Sequence, residues 1–116
     1  MQTIRVEAAS AKYDVTIGSG VLETLAPRIE RAVGRRLASG GRAPSGGRAR
    51  RVFVLTSPEI WALWGKVFLR SFEEEPVALF LPAGEQHKTI KSVERLTREM
   101  VGAGGDRGSL LIAFGG

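Results

Sequence analysis

Hydrophobic and polar residues alternate singly at the start of the chain: Ile4, Val6 and Ala8 stand between polar neighbours, and Tyr13, Val15 and Ile17 repeat the pattern. A period of two belongs to a strand with one covered face. The pattern therefore predicts two half-buried strands connected through Ala9 to Lys12, an N-terminal β-hairpin. Gly18-Ser19-Gly20 ends the second strand, after which the period lengthens. Leu22, Leu25, Ile29 and Val33 recur at three- and four-residue spacing from Val21 onward, as on one face of a helix, and Gly34 is placed to stop it. Pro27 lies inside this run and has no amide hydrogen to donate, so the helix is expected to start late or to bend.

Beyond residue 51 the apolar runs become continuous. Val52 to Leu55, Pro76 to Leu81 and Leu110 to Phe114 each read as a strand covered on both faces. Ser57-Pro58-Glu59 follows the first run and supplies an N-cap, a first-turn proline and a first-turn acid, which predicts a helix from Pro58 to about Arg70. Trp61, Trp64 and Phe68 line one face of that helix as expected core. Pro82-Ala83-Gly84 breaks the second strand, and Ile90, Val93, Leu96, Met100 and Val101 mark another helix, closed by the glycines between Gly102 and Gly105. Strand and helix thus alternate after the hairpin. That order predicts an α/β fold, a Rossmann-like, mostly parallel sheet with helices on both faces. The last strand runs into Gly115 and Gly116, as strands do that lead into a phosphate-cradling turn. This gives the expectation of an N-terminal part of an α/β domain that is incomplete at its C-terminus.

Charge changes this picture in one place. The chain of 116 residues has a net charge of +5, yet residues 28–51 hold eight arginines against Glu30 alone, so the remainder is slightly acidic. Residues 35–50 are Gly-, Ser-, Pro- and Arg-rich with almost nothing to bury, and they read as a disordered insertion. A nucleic-acid-binding arm across residues 28–51 is the alternative, though no aromatic is interleaved with the arginines to stack on bases. The absence of Cys and the single His87 exclude a disulfide framework, Cys-ligated metal centres and a His-rich site. No apolar run approaches the ~18 to 20 residues of a membrane-spanning helix. The opening MQTIRVEAASAK also lacks the apolar centre of a secretory signal, so a cytoplasmic location is expected.

Two stretches merit a chemical reading. Gly18-Ser19-Gly20-Val21-Leu22-Glu23 imitates the dinucleotide fingerprint, but Glu23 replaces the glycine that permits close packing and no ribose-binding acid follows about 20 residues on. A hairpin-to-helix turn is the better reading. Pro82-Ala83-Gly84-Glu85-Gln86-His87-Lys88-Thr89 is denser in chemistry and lies between a strand and a helix, at the expected crevice edge. Glu85 can accept hydrogen bonds, Lys88 is a positive point charge, and Gly84 lets the backbone approach a ligand closely. The same residues also fit a polar surface loop with Glu85 and Lys88 as a solvated pair. His87 alone reads more simply as a solvent-exposed polar side chain.

LPAGEQHKTIKSVERL, followed about twenty residues later by DRGSLLIAFGG, resembles the N-terminal domain of the 3-dehydroquinate synthase family, and YDVTIGSGVLETL resembles that family's opening hairpin and first helix. The likeness covers residues 2–34 and 51–116; the Arg-rich residues 35–50 depart from it. It implies an NAD-binding α/β domain within an enzyme about three times as long, whose helical C-terminal domain has no counterpart here. The implied enzyme is a carbon–oxygen lyase of the shikimate pathway, converting 3-deoxy-arabino-heptulosonate 7-phosphate to 3-dehydroquinate and phosphate with NAD and zinc or another divalent metal, as a possible homodimer. By the same resemblance Ala83, Gly84, Glu85, Gln86, His87 and Lys88 form the first cofactor-contacting block, and Gly115 and Gly116 open the pyrophosphate-binding stretch. Ser57 stands where the family tends to carry Asp or Asn against the adenosine ribose, which weakens one contact. No residue matches the metal ligands or catalytic groups, so the chain alone is expected to be inactive. Another sugar-phosphate cyclase on the same scaffold is the alternative within the enzyme class.

Overall fold

The computed structural model describes residues 1–34 and 51–115. The Arg-rich insertion expected at 35–50, and Gly116, lie outside the described residues. β1 (Gln2–Glu7) and β2 (Lys12–Ile17) form an antiparallel hairpin with Ile4 opposite Val15 and Val6 opposite Tyr13. Its polar face is joined across the strands by Arg5–Asp14 at 2.8 Å, Lys12–Glu7 at 3.5 Å and the Thr3–Thr16 hydroxyls at 3.2 Å. The apolar face is not half-buried as the alternation implied, because Ile4, Tyr13, Val15 and Ile17 are all exposed. A two-stranded ribbon has no layer of its own to cover that face.

A 3-10 turn at Val21–Thr24 precedes α1 (Leu25–Val33), so the helix does start late, four residues after the apolar period begins. Pro27 then falls in the first turn, where a missing amide hydrogen costs nothing. Gly34 stops the helix in the left-handed conformation, at φ 67°. The amide of Ala26 donates to Ser71 Oγ at 3.2 Å and Arg70 pairs with Glu23 at 3.1 Å, tying this region to the chain after the next helix.

β3 (Val52–Thr56) is the centre of a parallel sheet in the order β4–β3–β5, between β4 (Val77–Phe80) and β5 (Leu110–Ala113). The chain leaves β3 for one neighbour through α2 (Pro58–Leu69) and crosses back from β4 to the other through α3 (Ile90–Gly102). Right-handed crossovers in opposite directions place the two helices on opposite faces. The side chains agree: Phe53 and Leu79 pack with Leu96 of α3, along with Leu55, Val77, Leu81 and Met100. An aromatic cluster occupies the other face, with Phe68 against Phe114 at 4.8 Å, Phe72 at 5.2 Å and Trp61 at 5.7 Å, and Trp61 against Phe80 at 6.3 Å. Phe53, Val54 and Phe68 are 0% exposed.

Full cover on both faces holds for β3 alone, not for all three strands. β4 and β5 are the edges of the described sheet, and Leu111 of β5 stays 48% exposed because the cluster under α3 draws only on β3 and β4. Trp64 is likewise not core but 53% exposed, since the sheet-facing line of α2 runs through Trp61, Gly65 and Phe68 and misses it. On α3, Ile90, Val93 and Val101 are exposed and Leu96 alone is fully buried. The remaining irregularity is Thr56, whose buried Oγ1 has no hydrogen-bond partner among the described residues. A buried hydroxyl without a partner costs roughly 1–3 kcal/mol. Thr56→Val is therefore expected to raise the unfolding free energy by about 1 kcal/mol in denaturant titration; a fall would show that the hydroxyl is bonded.

Candidate functional site

Because β3, β4 and β5 run parallel, their carboxyl ends open on one edge of the sheet, where ligands of open α/β folds bind. Pairing continues one residue beyond the strands: the Leu81 amide donates to the Thr56 carbonyl and the Phe114 amide to the Leu55 carbonyl, each at 2.9 Å. Three following segments are thereby delivered to the same edge, at Ser57, at residues 82–89 and at Gly115.

Ser57 is the N-cap of α2, its Oγ accepting from the Ile60 amide at 3.3 Å, with Pro58 at the first helical position and Glu59 in the first turn. One lone pair of Ser57 is thus committed to the helix, while its O–H remains a donor. Gly115 lies close by, for a Cβ added there would stand 3.3 Å from Ile60 Cδ1. The first turn of α2 and the end of β5 are therefore in contact. Ile60 was not singled out by its residue type, and only the crossing of β5 beneath α2 reveals its place.

The segment after β4 is organised by Gly84, at φ 113° and ψ 145°. A Cβ there would lie 2.5 Å from Gln86 Oε1, the movable end of a flexible side chain, so it is the backbone angle that calls for glycine. Glu85, Gln86 and His87 then make one 3-10 turn, closed by the His87 amide on the Gly84 carbonyl at 3.2 Å and the Lys88 amide on the Glu85 carbonyl at 3.0 Å. Lys88 Nζ donates to Glu85 Oε1 at 2.6 Å, with both side chains largely in solvent. Thr89 begins α3 by accepting from the Ser92 amide at 3.2 Å. Ala83, Gly84, Glu85, Gln86 and Lys88 are exposed, whereas His87 is half-buried rather than free in solvent. The Glu85–Lys88 pairing anticipated for a surface loop is thus present, on a turn that also faces the strand-end edge.

Among the described residues no group of three or more His, Cys, Asp or Glu side chains is placed to hold a metal ion. Two arginines of the basic stretch have structural partners: Arg28 Nε donates to Thr24 Oγ1 at 2.8 Å, and Arg51 Nη1 donates to the Ala103 carbonyl at 2.6 Å, closing the last turn of α3. The charged outer face of α3 is likewise internally paired, Arg95 with Glu99 at 2.9 Å and Arg98 with Glu94 at 2.6 Å. No described helix is long and apolar enough to cross a membrane.

Comparison with known proteins points one way. The chain is 25% identical over its whole length to the 3-dehydroquinate synthase of Thermodesulfovibrio yellowstonii and 31% identical over its whole length to that of Gloeobacter violaceus, spanning 29% of each protein. It is 39% identical to the enzyme of Solibacter usitatus across 57% of its own length and 19% of that protein. No family model matches the chain. It corresponds to an N-terminal portion of these enzymes and spans under a third of the length of the curated relatives it matches.

Gly84→Ala tests whether the turn is built as described. It is expected to cost roughly 1–3 kcal/mol of local strain and to abolish hydrogen-exchange protection of the Lys88 amide while β3 amides keep theirs. Unchanged Lys88 protection would show that the turn does not require glycine.

Proposed function

We propose that this relative of the 3-dehydroquinate synthases supplies the NAD-binding edge of such an enzyme, one that converts 3-deoxy-arabino-heptulosonate 7-phosphate to 3-dehydroquinate and phosphate. The carrying observation is the placement of the Ala83–Lys88 turn at the carboxyl end of β4, on the same sheet edge as Ser57 and Gly115. The residues fit the cofactor. The turn at Gly84, held at a positive φ that L side chains rarely adopt, exposes backbone without a side chain, and Lys88 offers a positive charge beside it.

Within this reading Glu85 accepts from ribose hydroxyls or the carboxamide, and Lys88 leaves its contact with Glu85 to meet the cofactor's negative charge. The exposed backbone of Ala83 and Gly84 lies alongside the bound molecule, with Gln86 and His87 completing the turn. Ser57 donates its hydroxyl hydrogen while its oxygen continues to cap α2. Gly115, and Gly116 beyond it, let the pyrophosphate approach β5 without a side chain in the way. When bound, NAD supplies a reversible hydride acceptor for a substrate hydroxyl. The chain's own residues hold and orient it and take no part in proton transfer. Zinc or another divalent metal does not fit the described residues, since no group of three or more His, Cys, Asp or Glu side chains is placed among them to hold it.

Two outcomes follow. The 116-residue chain is expected to bind NAD weakly, with a dissociation constant on the order of millimolar, about −4 kcal/mol, and to show no turnover. Saturation-transfer NMR should detect transfer to NAD protons, and Glu85→Ala and Lys88→Ala should each reduce it several-fold. Melting temperatures should hardly move, because an exposed pair contributes at most about 1 kcal/mol. Unchanged transfer in both variants would return the turn to a surface role.

A further inference from the structure

The carboxyl end of β4 is held on one side by β3 and on the other by a side chain of α3. The Leu81 amide donates inward to the Thr56 carbonyl at 2.9 Å, so by the two-residue alternation of a strand the Phe80 carbonyl points away from β3, along the open edge of the described sheet. A carbonyl on such an edge ordinarily faces only water. Here Arg95, in the second turn of α3, reaches back fifteen residues and donates from Nη2 to the Phe80 oxygen at 3.0 Å. Its Nη1 donates to Glu99 Oε1 at 2.9 Å, one turn further along the helix.

A guanidinium serves two acceptors at once in a fixed fork, which an ammonium does not. Glu99 therefore aims the group and the Phe80 carbonyl receives it. Arg98 supplies the contrast on the same helix: it makes the same kind of pair with Glu94 at 2.6 Å but, among the described residues, no bond to the backbone.

Phe80 and Arg95, joined by this bond, flank the segment that carries Ala83 to Lys88. Among the described residues the hydrogen bonds of Pro82 to Lys88 are all made within residues 82–89, so the turn takes its place on the sheet edge from where its two ends are held. On the inner side Leu81 and Leu96 share the core under α3, and on the outer side the Arg95–Phe80 bond joins the same two elements. We infer that Arg95 is a positioning residue for the cofactor turn: aimed by Glu99, it clamps the carboxyl end of β4 to α3 and so fixes where Ala83 to Lys88 stand on the strand-end edge. The inference rests on the NAD reading of that turn and adds to it two residues that touch no cofactor. Both side chains of the Arg95–Glu99 pair are nearly half exposed, so the clamp contributes little to global stability and its effect is local.

The full 116-residue chain is tested by two readouts side by side, amide exchange without ligand and saturation transfer to NAD. Arg95→Met is expected to lower protection of the Lys88 amide about tenfold through local opening, to reduce transfer to NAD several-fold, and to leave the β3 amides as they are. Arg95→Lys keeps the charge but not the fork and should behave like Arg95→Met. Glu99→Ala should show a smaller loss of the same kind and add nothing to Arg95→Met in the double variant, because it acts through Arg95. Arg98→Met, which removes a similar pair, should change neither readout. Three results would each overturn the clamp while the cofactor reading stands: Lys88 protection or NAD transfer unchanged in Arg95→Met, transfer fully kept in Arg95→Lys, which would mean that the charge acts on the cofactor at a distance, or an equal loss in Arg98→Met. Absence of transfer from the unaltered chain would overturn the cofactor reading itself, and the positioning role with it, whatever the exchange shows.

Discussion

The parallel pairing of β3 on both sides is the constraint from which the rest of the arrangement follows. A strand bonded to β4 on one edge and β5 on the other cannot present either edge to water, and Phe53 and Val54 point to opposite faces with no exposure at all. Both faces must then be covered, and the two crossovers cover them, α3 over Phe53 and α2 over Val54. The same parallelism brings three strand ends to one side. The candidate site is thus a by-product of how the core is built: the 83–88 turn, Ser57 and Gly115 lie on one edge of the sheet because their strands share a direction.

Helix caps and candidate binding groups overlap at that edge. Ser57 caps α2, Thr89 caps α3, and the turn between Gly84 and Lys88 connects β4 to α3. Part of each group's hydrogen-bonding capacity is committed to the fold, and what faces outward is exposed backbone at Gly84, the hydroxyl hydrogen of Ser57 and the Lys88 charge. A ligand here competes chiefly with one solvated ion pair, Lys88 with Glu85. That competition is mild, since an exposed pair of this kind holds little free energy.

Unused apolar surface is the counterpart of this economy. Leu63 and Trp64 on α2, Leu111 on β5 and most of the apolar side of the hairpin remain in water among the described residues, while the interior is confined to β3 and the residues directly above and below it.

Local patterns in the chain determined a good deal. The Ser57-Pro58-Glu59 cap, the break at Pro82-Ala83-Gly84 and the stop at Gly34 mark element ends through backbone chemistry that acts within a few residues, and the alternation of strands and helices established the α/β class. The turn from Ala83 to Lys88 was legible as a candidate site, between a strand and a helix, because its residue types are chemically dense and its place there is local information. What the pattern could not supply was the number of neighbours. Continuous apolar runs in β4 and β5 look like that of β3, but burial depends on strand order, which left both at the edges. Trp64 shares its residue type with Trp61, yet the angle of α2 across the sheet set Trp61 half-buried among the aromatic rings and left Trp64 exposed. Whereas the Lys88–Glu85 pair, three residues apart, was local and legible in the sequence, the contact of Ile60 with Gly115 was likewise decided only when distant segments met, because packing distances and solvent cover are properties of the assembled layers and not of any one segment.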